Sequence, residues 1–368
     1  MIPQITIIIG TRPEAIKLAP VIKAFKLCKN LNTRVLLTGQ HSEMVLDVID
    51  LFKIKVDINL DLMKARQDLN NFTSRCLLSI SEDFSKYPPN FVIVQGDTSS
   101  AMVGALAAFQ NKIPIGHVEA GLRTNNLKEP FPEEANRRII SQIADLHFAP
   151  TEKAAQNLID SKITGEIIVS GNTGIDAVMN ISKTCDKPLI DNFDWDKEII
   201  LLTVHRRENW GLNLEKILKG VKLLIKKNSN IRILIPMHKN PKVRNIIIKH
   251  LKGIENVFLT ESLNYSEMIA CMKNSKIILT DSGGIQEEAP ALGKPVLILR
   301  NFTEREEAIE ANSAKLIGTN SKNVYEETSK ILNDKIMYKN MSKKAFPFGD
   351  GNASDRILKK ILNFFSYK

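Results

Sequence analysis

Three carboxylates stand where they could exchange protons with a bound molecule. Asp97 and Glu119 each follow a short apolar run, and Glu133 opens a helix-length segment after a Pro-Phe-Pro sequence. Carboxylates grouped in a cleft raise one another's pKa, which prepares one of them to accept or donate a proton. Each also has a structural alternative, since Asp97 and Glu133 could cap helices and Glu119 could form an ion pair.

Cationic residues follow the first apolar run. Gly10 permits a tight turn there, and Pro13 suits the first turn of a helix. Arg12 and Lys17 would then lie beside the positive end of that helix, where anions bind readily. A plain strand–turn–helix with a surface arginine is the alternative.

Two further polar sequences follow apolar runs in the second half of the chain. Ser282, Gly283 and Gly284 precede a helix-length segment, and their free backbone N–H groups would suit a diphosphate. This is neither a P-loop nor a G-x-G-x-x-G sequence, so a simple turn is the alternative. The run His-Arg-Arg-Glu that begins at His205 is too polar for a simple turn.

The elements that must position these residues alternate along the whole chain. Short apolar, β-branched runs are separated by helix-length segments, which indicates parallel sheets covered on both faces by helices. The predicted strands are 5–9, 34–38, 91–95, 113–118, 145–149, 166–170, 198–204, 231–237, 256–260, 276–281, 295–299 and 314–317. Predicted helical segments include 14–30, 42–52, 66–87, 99–111, 132–143, 212–228, 241–252 and 285–292.

The length and the charge distribution both indicate two domains. Twelve strands fit two sheets of about six better than one, and the polar segment 172–197 is the natural boundary in a chain of 368 residues. Residues 1–180 hold 19 basic and 19 acidic residues, whereas 181–368 hold 32 and 22, the whole excess of +10. We therefore predict two Rossmann-like, doubly wound α/β domains that face a central ligand cleft.

Composition narrows the class of protein. The chain is 43% hydrophobic and 25% charged, as expected of a globular protein. It has no apolar run near the ~20 residues of a membrane span and no secretory leader, so we expect a cytoplasmic protein that does not bind membranes. The four cysteines form no C-x-x-C pair and the six histidines show no metal-ligand spacing, so we predict no metal site. The scattered lysines favour a solvated surface over a nucleic-acid partner.

Seven motifs in order resemble one known family. They are GTRPEAIKLAP at 10–20, GQHSEM at 39–44, GDTSS at 96–100, GHVEAGLRT at 116–124, PFPEEANRR at 130–138, HRREN at 205–209 and TDSGGIQEEAPALGKPV at 280–296. Together they resemble the non-hydrolysing UDP-N-acetylglucosamine 2-epimerases over about residues 7–356. The resemblance implies the glycosyltransferase B fold with its active site in the interdomain cleft.

The resemblance also implies a domain layout and a reaction. Residues 1–172 would form the N-terminal domain with most catalytic carboxylates, 173–350 the UDP-binding domain, and 351–368 a C-terminal helix packed back on the N-terminal domain. The family interconverts UDP-N-acetylglucosamine and UDP-N-acetylmannosamine, eliminating UDP to a 2-acetamidoglucal and adding it back. No cofactor or metal takes part, and a homodimer is usual.

The family's functional residues carry over onto matching positions. Those implied as catalytic are Asp97, Glu119, Glu133 and His205. Those implied around the UDP-sugar are Arg12, Lys17, Asp97, Glu119, Arg137 and His205 near the sugar and diphosphate, Ser282, Gly283 and Gly284 at the β-phosphate, Glu288 at the ribose, Leu263 and Met268 at the uracil, and Arg305 as a cleft-closing residue. Positions that match a second, activating UDP-N-acetylglucosamine site are Gln40, His41, Glu43, Arg66, Arg206 and His238. Glu43 repels phosphate more than glutamine would.

Alternatives remain open at this point. The same motifs would serve a 2-epimerase for UDP-2,3-diacetamido sugars or their uronic acids. A glycosyltransferase of this fold would act at C1, which the carboxylates around C2 disfavour. A hydrolysing epimerase would release free N-acetylmannosamine, and a nucleic-acid-binding module would show strongly salt-dependent binding.

Overall fold

The computed structural model describes residues 2–39, 42–63, 68–124 and 126–366, with the backbone alone for 42–44. The chain divides into two compact units. The first unit comprises Met1–Ala177 and Gly349–Lys368, and the second comprises Val178–Phe348. The division lies five residues beyond residue 172, the predicted end of the first domain. It falls inside a helix and within the segment 172–197 that the sequence indicates as the boundary.

The first unit contains a seven-stranded parallel sheet. Its strands are β1 (Gln4–Ile9), β2 (Asn32–Leu37), β3 (Ile58–Asn59), β4 (Phe91–Gln95), β5 (Ile115–Val118), β6 (Leu146–Ala149) and β7 (Glu166–Val169), in the order β3-β2-β1-β4-β5-β6-β7. Its helices are α1 (Arg12–Leu27), α2 (Ser42–Leu51), α3 (Leu69–Lys86), α4 (Ser99–Gln110), α5 (Glu133–Ile143) and α6 (Glu152–Asp160). The next helix, α7 (Thr173–Ile181), begins in the first unit and ends in the second. The two-residue β3 was not predicted.

Helices cover both faces of this sheet, which explains why β1 is apolar at successive positions. Ile7 and Ile9 pack in one cluster with Leu18 of α1, whereas Ile8 packs in another with Ile80 of α3. Successive side chains of a strand point to opposite faces, so a strand buried on both faces needs an unbroken apolar run.

The second unit repeats the plan with six parallel strands. They are β8 (Glu198–Thr203), β9 (Ile231–Pro236), β10 (Val257–Thr260), β11 (Ile277–Thr280), β12 (Val296–Ile298) and β13 (Ala314–Leu316), in the order β10-β9-β8-β11-β12-β13. Its helices are α8 (Leu212–Lys227), α9 (Pro241–Leu251), α10 (Tyr265–Asn274), α11 (Gly283–Ala291), α12 (Glu306–Glu310), α13 (Ser321–Asn333) and α14 (Lys335–Met341), with a short 3₁₀ turn at Arg207–Asn209. Leu218 and Val324 join α8 and α13 to the core on one face.

The final helix, α15 (Ala353–Ser366), returns to the first unit. Its Ile357 and Ile361 are fully buried in the cluster that also holds β1 and α1. The ring of Phe91 meets the edges of Phe364 and Phe365 at centroid distances of 5.2 and 6.2 Å. Residues from both ends of the chain therefore build one core.

Parallel pairing brings the carboxyl ends of neighbouring strands to one edge of each sheet. In the first unit, Arg12, Asp97 and Glu119 follow the adjacent strands β1, β4 and β5. In the second unit, His205 and Ser282 follow the adjacent strands β8 and β11. No helix within the described residues is long and apolar enough to cross a membrane.

Candidate active site

Glu119 is held between a cation and an amide. Lys17 Nζ forms an ion pair with its Oε1, and Gln95 Nε2 donates to its Oε2. Only 7% of the side chain is exposed, and the backbone has a left-handed φ of 63°. Such a conformation costs an ordinary residue roughly 1–3 kcal/mol and persists only where the surroundings impose it, which is common at functional sites.

Asp97 is paired with the predicted sugar-site arginine. Arg137 Nη2 lies 2.7 Å from Asp97 Oδ2. The amide of Asn136 donates to the backbone oxygen of Asp97 at 2.9 Å, so two successive residues of α5 fix this turn. The structure thus brings Asp97 and Arg137 together, in a position where the carboxylate keeps 27% of its side chain exposed.

Glu133 and Glu134 have opposite surroundings although they are neighbours in α5. Glu134 is fully buried and accepts from the Thr124 backbone at 3.0 Å and from Arg138 Nε at 2.7 Å. Glu133 is half-buried, and its Oε2 is buried with no hydrogen-bond partner among the described residues. A buried carboxylate oxygen that lacks a partner is costly unless a ligand supplies one. Glu134 is therefore structural, and Glu133 keeps an acceptor available.

Arg12 is the first residue of α1 and is half-buried. The turn that leads to it is tight, because a Cβ on Gly10 would lie 2.2 Å from Ser100 Oγ. Glycine is required there by close packing, as well as by the turn that the sequence indicated.

Asp281 holds the turn that follows β8 in the second unit. It is fully buried after β11 and accepts from the backbone N–H groups of His205 at 3.1 Å and Arg206 at 3.0 Å, and from Asn209 Nδ2 at 2.9 Å. His205 Nδ1 lies 3.3 Å from Asp281 Oδ1. Burial lowers the pKa of His205, assisted by His238 and opposed by Asp281. A neutral imidazole at neutral pH can accept a proton or a hydrogen bond.

Ser282, Gly283 and Gly284, which the family resemblance assigns to the β-phosphate, lie at the start of α11. A Cβ on Gly283 would lie 3.0 Å from Arg305 Cζ, so the arginine covers this turn. Arg305 Nε donates to the buried Glu287 at 3.0 Å. The structure thus brings the predicted phosphate loop and the predicted cleft-closing arginine together.

The predicted nucleoside residues also lie in one region of the second unit. Tyr265 Oη donates to Glu288 Oε1 at 3.3 Å, which joins α11 to the start of α10. Leu263 and Met268, predicted for the uracil, flank that start and are half-buried.

The residues predicted for an activator are described only in part. Gln40, His41, Arg66 and the side chain of Glu43 lie outside the described residues. His238 is exposed and stacks on His205, with ring centroids 5.9 Å apart at 20°. Arg206 Nη2 lies 3.7 Å from Glu304.

An arginine–carboxylate network around Glu304 was not anticipated. Glu304 contacts Arg305 as well as Arg206, and it accepts from Arg300 at 2.9 Å. Arg300 Nε also donates to Glu208 at 2.6 Å. The arginines hold the pKa of Glu304 below its usual range, although burial opposes them. The signal in the sequence was the density of opposite charges after β8 and β12, which does not reveal pairing.

No group of three or more His, Cys, Asp or Glu side chains in the described part of the chain is arranged to hold a metal ion. The cysteines at 28, 76, 185 and 271 are free thiols, and burial raises the pKa of Cys76 and Cys271 to about 12. Such thiols are poor nucleophiles.

Comparisons with known proteins address the family and the fold of the chain. The family model described as UDP-N-acetylglucosamine 2-epimerase matches residues 23–362. A UDP-N-acetylglucosamine 2-epimerase of Bacillus subtilis is 44% identical over 99% of this chain and 96% of its own. The crystal structure of the Neisseria meningitidis UDP-GlcNAc 2-epimerase bound to UDP-GlcNAc is 42% identical and covers 98% of this chain and 100% of its own, with a TM-score of 0.89.

A Staphylococcus aureus MnaA–UDP co-structure is 43% identical and covers 99% of this chain and 97% of its own, with a TM-score of 0.86. These matches confirm the predicted fold class of two Rossmann-like parallel-sheet domains of glycosyltransferase B type. They also confirm the resemblance read from the seven motifs. The chain belongs to the UDP-N-acetylglucosamine 2-epimerase family.

Proposed function

We propose that this protein is an isomerase that interconverts UDP-N-acetylglucosamine and UDP-N-acetylmannosamine without hydrolysis. The observation that carries the proposal is the set of paired carboxylates at the strand ends of the first unit, Asp97 with Arg137 and Glu119 with Lys17. Each pair sets a proton-transfer group beside a cation, which suits a reaction that moves a proton and releases an anion. A relative solved with UDP-GlcNAc bound supports the substrate.

The proposed reaction is an elimination followed by an addition. A carboxylate removes the C2 proton, the C2–H electron pair forms the C1–C2 double bond, and the C1–O bond breaks so that UDP leaves with its electron pair. UDP then adds back at C1 to the 2-acetamidoglucal while a proton is delivered to the opposite face of C2. Asp97, Glu119 and Glu133 form the acid–base set. The place of Glu133 in this set is supported by its Oε2, which is buried and has no hydrogen-bond partner among the described residues.

Cations and backbone donors would hold UDP through both steps. The proposed contacts to the diphosphate and sugar are those of Arg12, Lys17, Arg137 and His205. Ser282, Gly283 and Gly284 would bind the β-phosphate with backbone N–H groups at the start of α11, where anions are favoured. Glu288 would bind the ribose, Leu263 and Met268 the uracil, and Arg305 would close over the nucleotide.

The proposal extends to the protein's setting. A cytoplasmic homodimer would supply N-acetylmannosamine-type sugars for surface polysaccharide synthesis. A second UDP-N-acetylglucosamine would act as an activator through the residues at 40, 41, 43, 66, 206 and 238. The runner-up function is 2-epimerisation of UDP-2,3-diacetamido sugars, and a glycosyltransferase of the same fold comes after it.

The test is incubation of the purified protein with UDP-N-acetylglucosamine in deuterated water, followed by proton NMR. Loss of the sugar H2 signal together with appearance of the manno isomer still bound to UDP is the expected result. Release of free N-acetylmannosamine would instead indicate hydrolysis. Absence of exchange at C2 would contradict the proposal and redirect the assay to diacetamido sugars and to sugar transfer.

A further inference from the structure

A buried carboxylate of the first unit has no part in the proposed chemistry. Glu14 lies in the first turn of α1 and is 1% exposed. Its Oε2 accepts from the backbone N–H groups of Gly10 at 3.0 Å and Thr11 at 2.6 Å. Its Oε1 accepts from Thr98 Oγ1 at 2.7 Å. Both oxygens are therefore committed to protein donors.

These donors belong to two different strand-end turns. Gly10 and Thr11 lead from β1 to Arg12, and Thr98 follows Asp97 at the end of β4. Thr98 Oγ1 also accepts from the Ala101 backbone at 3.0 Å, so its own proton is free to point at Glu14. A single carboxylate thus joins the turn before Arg12 to the turn that carries Asp97.

The surroundings leave little room for these turns to readjust. Ser100 Oγ lies 2.8 Å from Thr38 Oγ1 and at the position where a side chain on Gly10 would stand. Burial raises the pKa of Glu14 to about 7 even though its donors oppose the shift. Burying this carboxylate is costly, and its hydrogen bonds to Gly10, Thr11 and Thr98 offset part of that cost.

We propose that Glu14 is a positioning residue for the epimerisation, which fixes the distance between the phosphate-binding Arg12 and the acid–base Asp97. The inference rests on the proposed function. Misplacing a reacting group by about 1 Å can lower a rate ~100-fold, so loss of this link is expected to act mainly on turnover.

Two substitutions of Glu14 and one control substitution distinguish a positioning role of this residue from a role in protein stability alone. Glu14→Gln keeps a carbonyl that accepts from Gly10 and Thr11 and an amide that donates to Thr98, so we expect kcat within about threefold of wild type. Glu14→Ala removes both links, and we expect kcat to fall ~100-fold with a several-fold higher KM.

Asp176→Ala is the matched control in the same unit. Asp176 is a buried carboxylate that accepts from the backbone N–H groups of Ala353 at 3.2 Å and Ser354 at 2.7 Å, at the start of α15. We expect a lower melting temperature with a kcat per folded molecule equal to that of wild type. Equal kcat values for folded Glu14→Ala and Asp176→Ala would overturn the inference.

A second variant keeps the inference testable if Glu14→Ala does not fold. Thr98→Val removes the link to the Asp97 turn, together with the hydrogen bond from Ala101, while keeping the side-chain shape. Thr98→Ser restores the hydroxyl and both hydrogen bonds. We expect Thr98→Val to lower kcat about tenfold with UDP affinity unchanged, and Thr98→Ser to recover it. A wild-type kcat in Thr98→Val would also overturn the inference.

Hydrogen exchange separates this inference from the proposed function. We expect amide exchange to rise in Glu14→Ala both at residues 10–12 and at residues 96–98, and to stay unchanged there in Asp176→Ala. This readout does not depend on the substrate. If the wild-type protein is inactive on UDP-N-acetylglucosamine but the two variants show this pattern, the reaction is refuted and the link is supported. Unchanged exchange at residues 96–98 would refute the link.

Discussion

The two units share a scaffold but distribute charge differently at the strand ends. In the first unit, two of the three candidate acid–base groups are paired with a cation, Asp97 with Arg137 and Glu119 with Lys17. In the second unit, Glu304 alone contacts three arginines, which are Arg206, Arg300 and Arg305. One-to-one pairs suit proton transfer, whereas guanidinium groups gathered around one carboxylate suit a multiply charged anion.

This contrast explains where the excess positive charge of the chain matters. The basic residues of the second half are mostly surface lysines, and the arginines near the start of α11 are held in place by carboxylates. For nucleotide binding, the positions in which these arginines are held therefore matter more than the net charge of the chain. The contrast then predicts that substitutions of the acid–base carboxylates in the first unit act mainly on rate. Substitutions of the clustered arginines in the second unit are expected to act mainly on nucleotide affinity.

The largest effect is expected in the first unit. Asp97→Asn should lower kcat about 1,000-fold, because a proton-transfer group is removed, while UDP affinity stays within a few-fold of wild type. Initial rates and isothermal titration with UDP measure the two quantities. Asp83→Asn is the matched control. Asp83 forms a bidentate ion pair with Arg34, with N–O distances of 2.9 and 3.0 Å, and this pair lies away from the strand-end turns. A wild-type rate for Asp97→Asn would remove it from the acid–base set.

A smaller and different effect is expected in the second unit. Arg305→Ala should weaken UDP binding about tenfold or more, since a charge-assisted hydrogen bond contributes roughly 1.5–3 kcal/mol. Titration with UDP is the measurement. Arg244→Ala, which removes an arginine paired with Glu261 on the surface of the same unit, should leave affinity unchanged. A loss of turnover at full affinity in Arg305→Ala would contradict the expected contrast between the units.

The smallest effect concerns histidines and pH. Burial lowers the pKa of His117 to about 3 and that of His147 to about 4, both fully buried in the first unit. The unfolded chain, with histidines near 6.5, binds these protons more tightly, so unfolding free energy falls as pH decreases through 6.5. Between pH 7 and pH 6, the unfolding free energy of His147→Leu should therefore fall by about 0.7 kcal/mol less than that of wild type.

Denaturant unfolding at both pH values measures this slope. His205→Asn is the contrast in the second unit, where Asp281 opposes the lowering of the histidine pKa and 39% of the side chain is exposed. We expect it to change the slope less than His147→Leu does. An equal slope for wild type and His147→Leu would show that His147 does not contribute to acid sensitivity.

Much of the fold was predictable because parallel strands need unbroken apolar runs. The predicted run 91–95 coincides with β4, and 231–237 exceeds β9 by one residue. The two-residue β3 carries too few residues for any pattern. Candidate site residues were predictable from their positions after strands, since topology alone brings those ends together.

The supporting residues could not be predicted because their roles depend on contacts distant in sequence. Asp281 was visible as a polar residue after a strand, but its role comes from backbone N–H groups 75 and 76 residues away. Glu14 and Glu134 are charged residues in helices, which typically lie on the surface, and only tertiary structure shows that both are buried. The sequence pattern identifies helices and strands, whereas the folded unit decides which charged side chains are buried.

The return of α15 to the first unit has a consequence for synthesis. Ile357 and Ile361 complete a core that begins at β1, so more than three hundred residues must emerge from the ribosome before that core is complete. The second unit, Val178–Phe348, is contiguous and can close while the first still lacks its last helix. The first unit is thus the unit whose synthesis begins first and whose core is completed last. Its exposed apolar surface must be protected from aggregation during that interval.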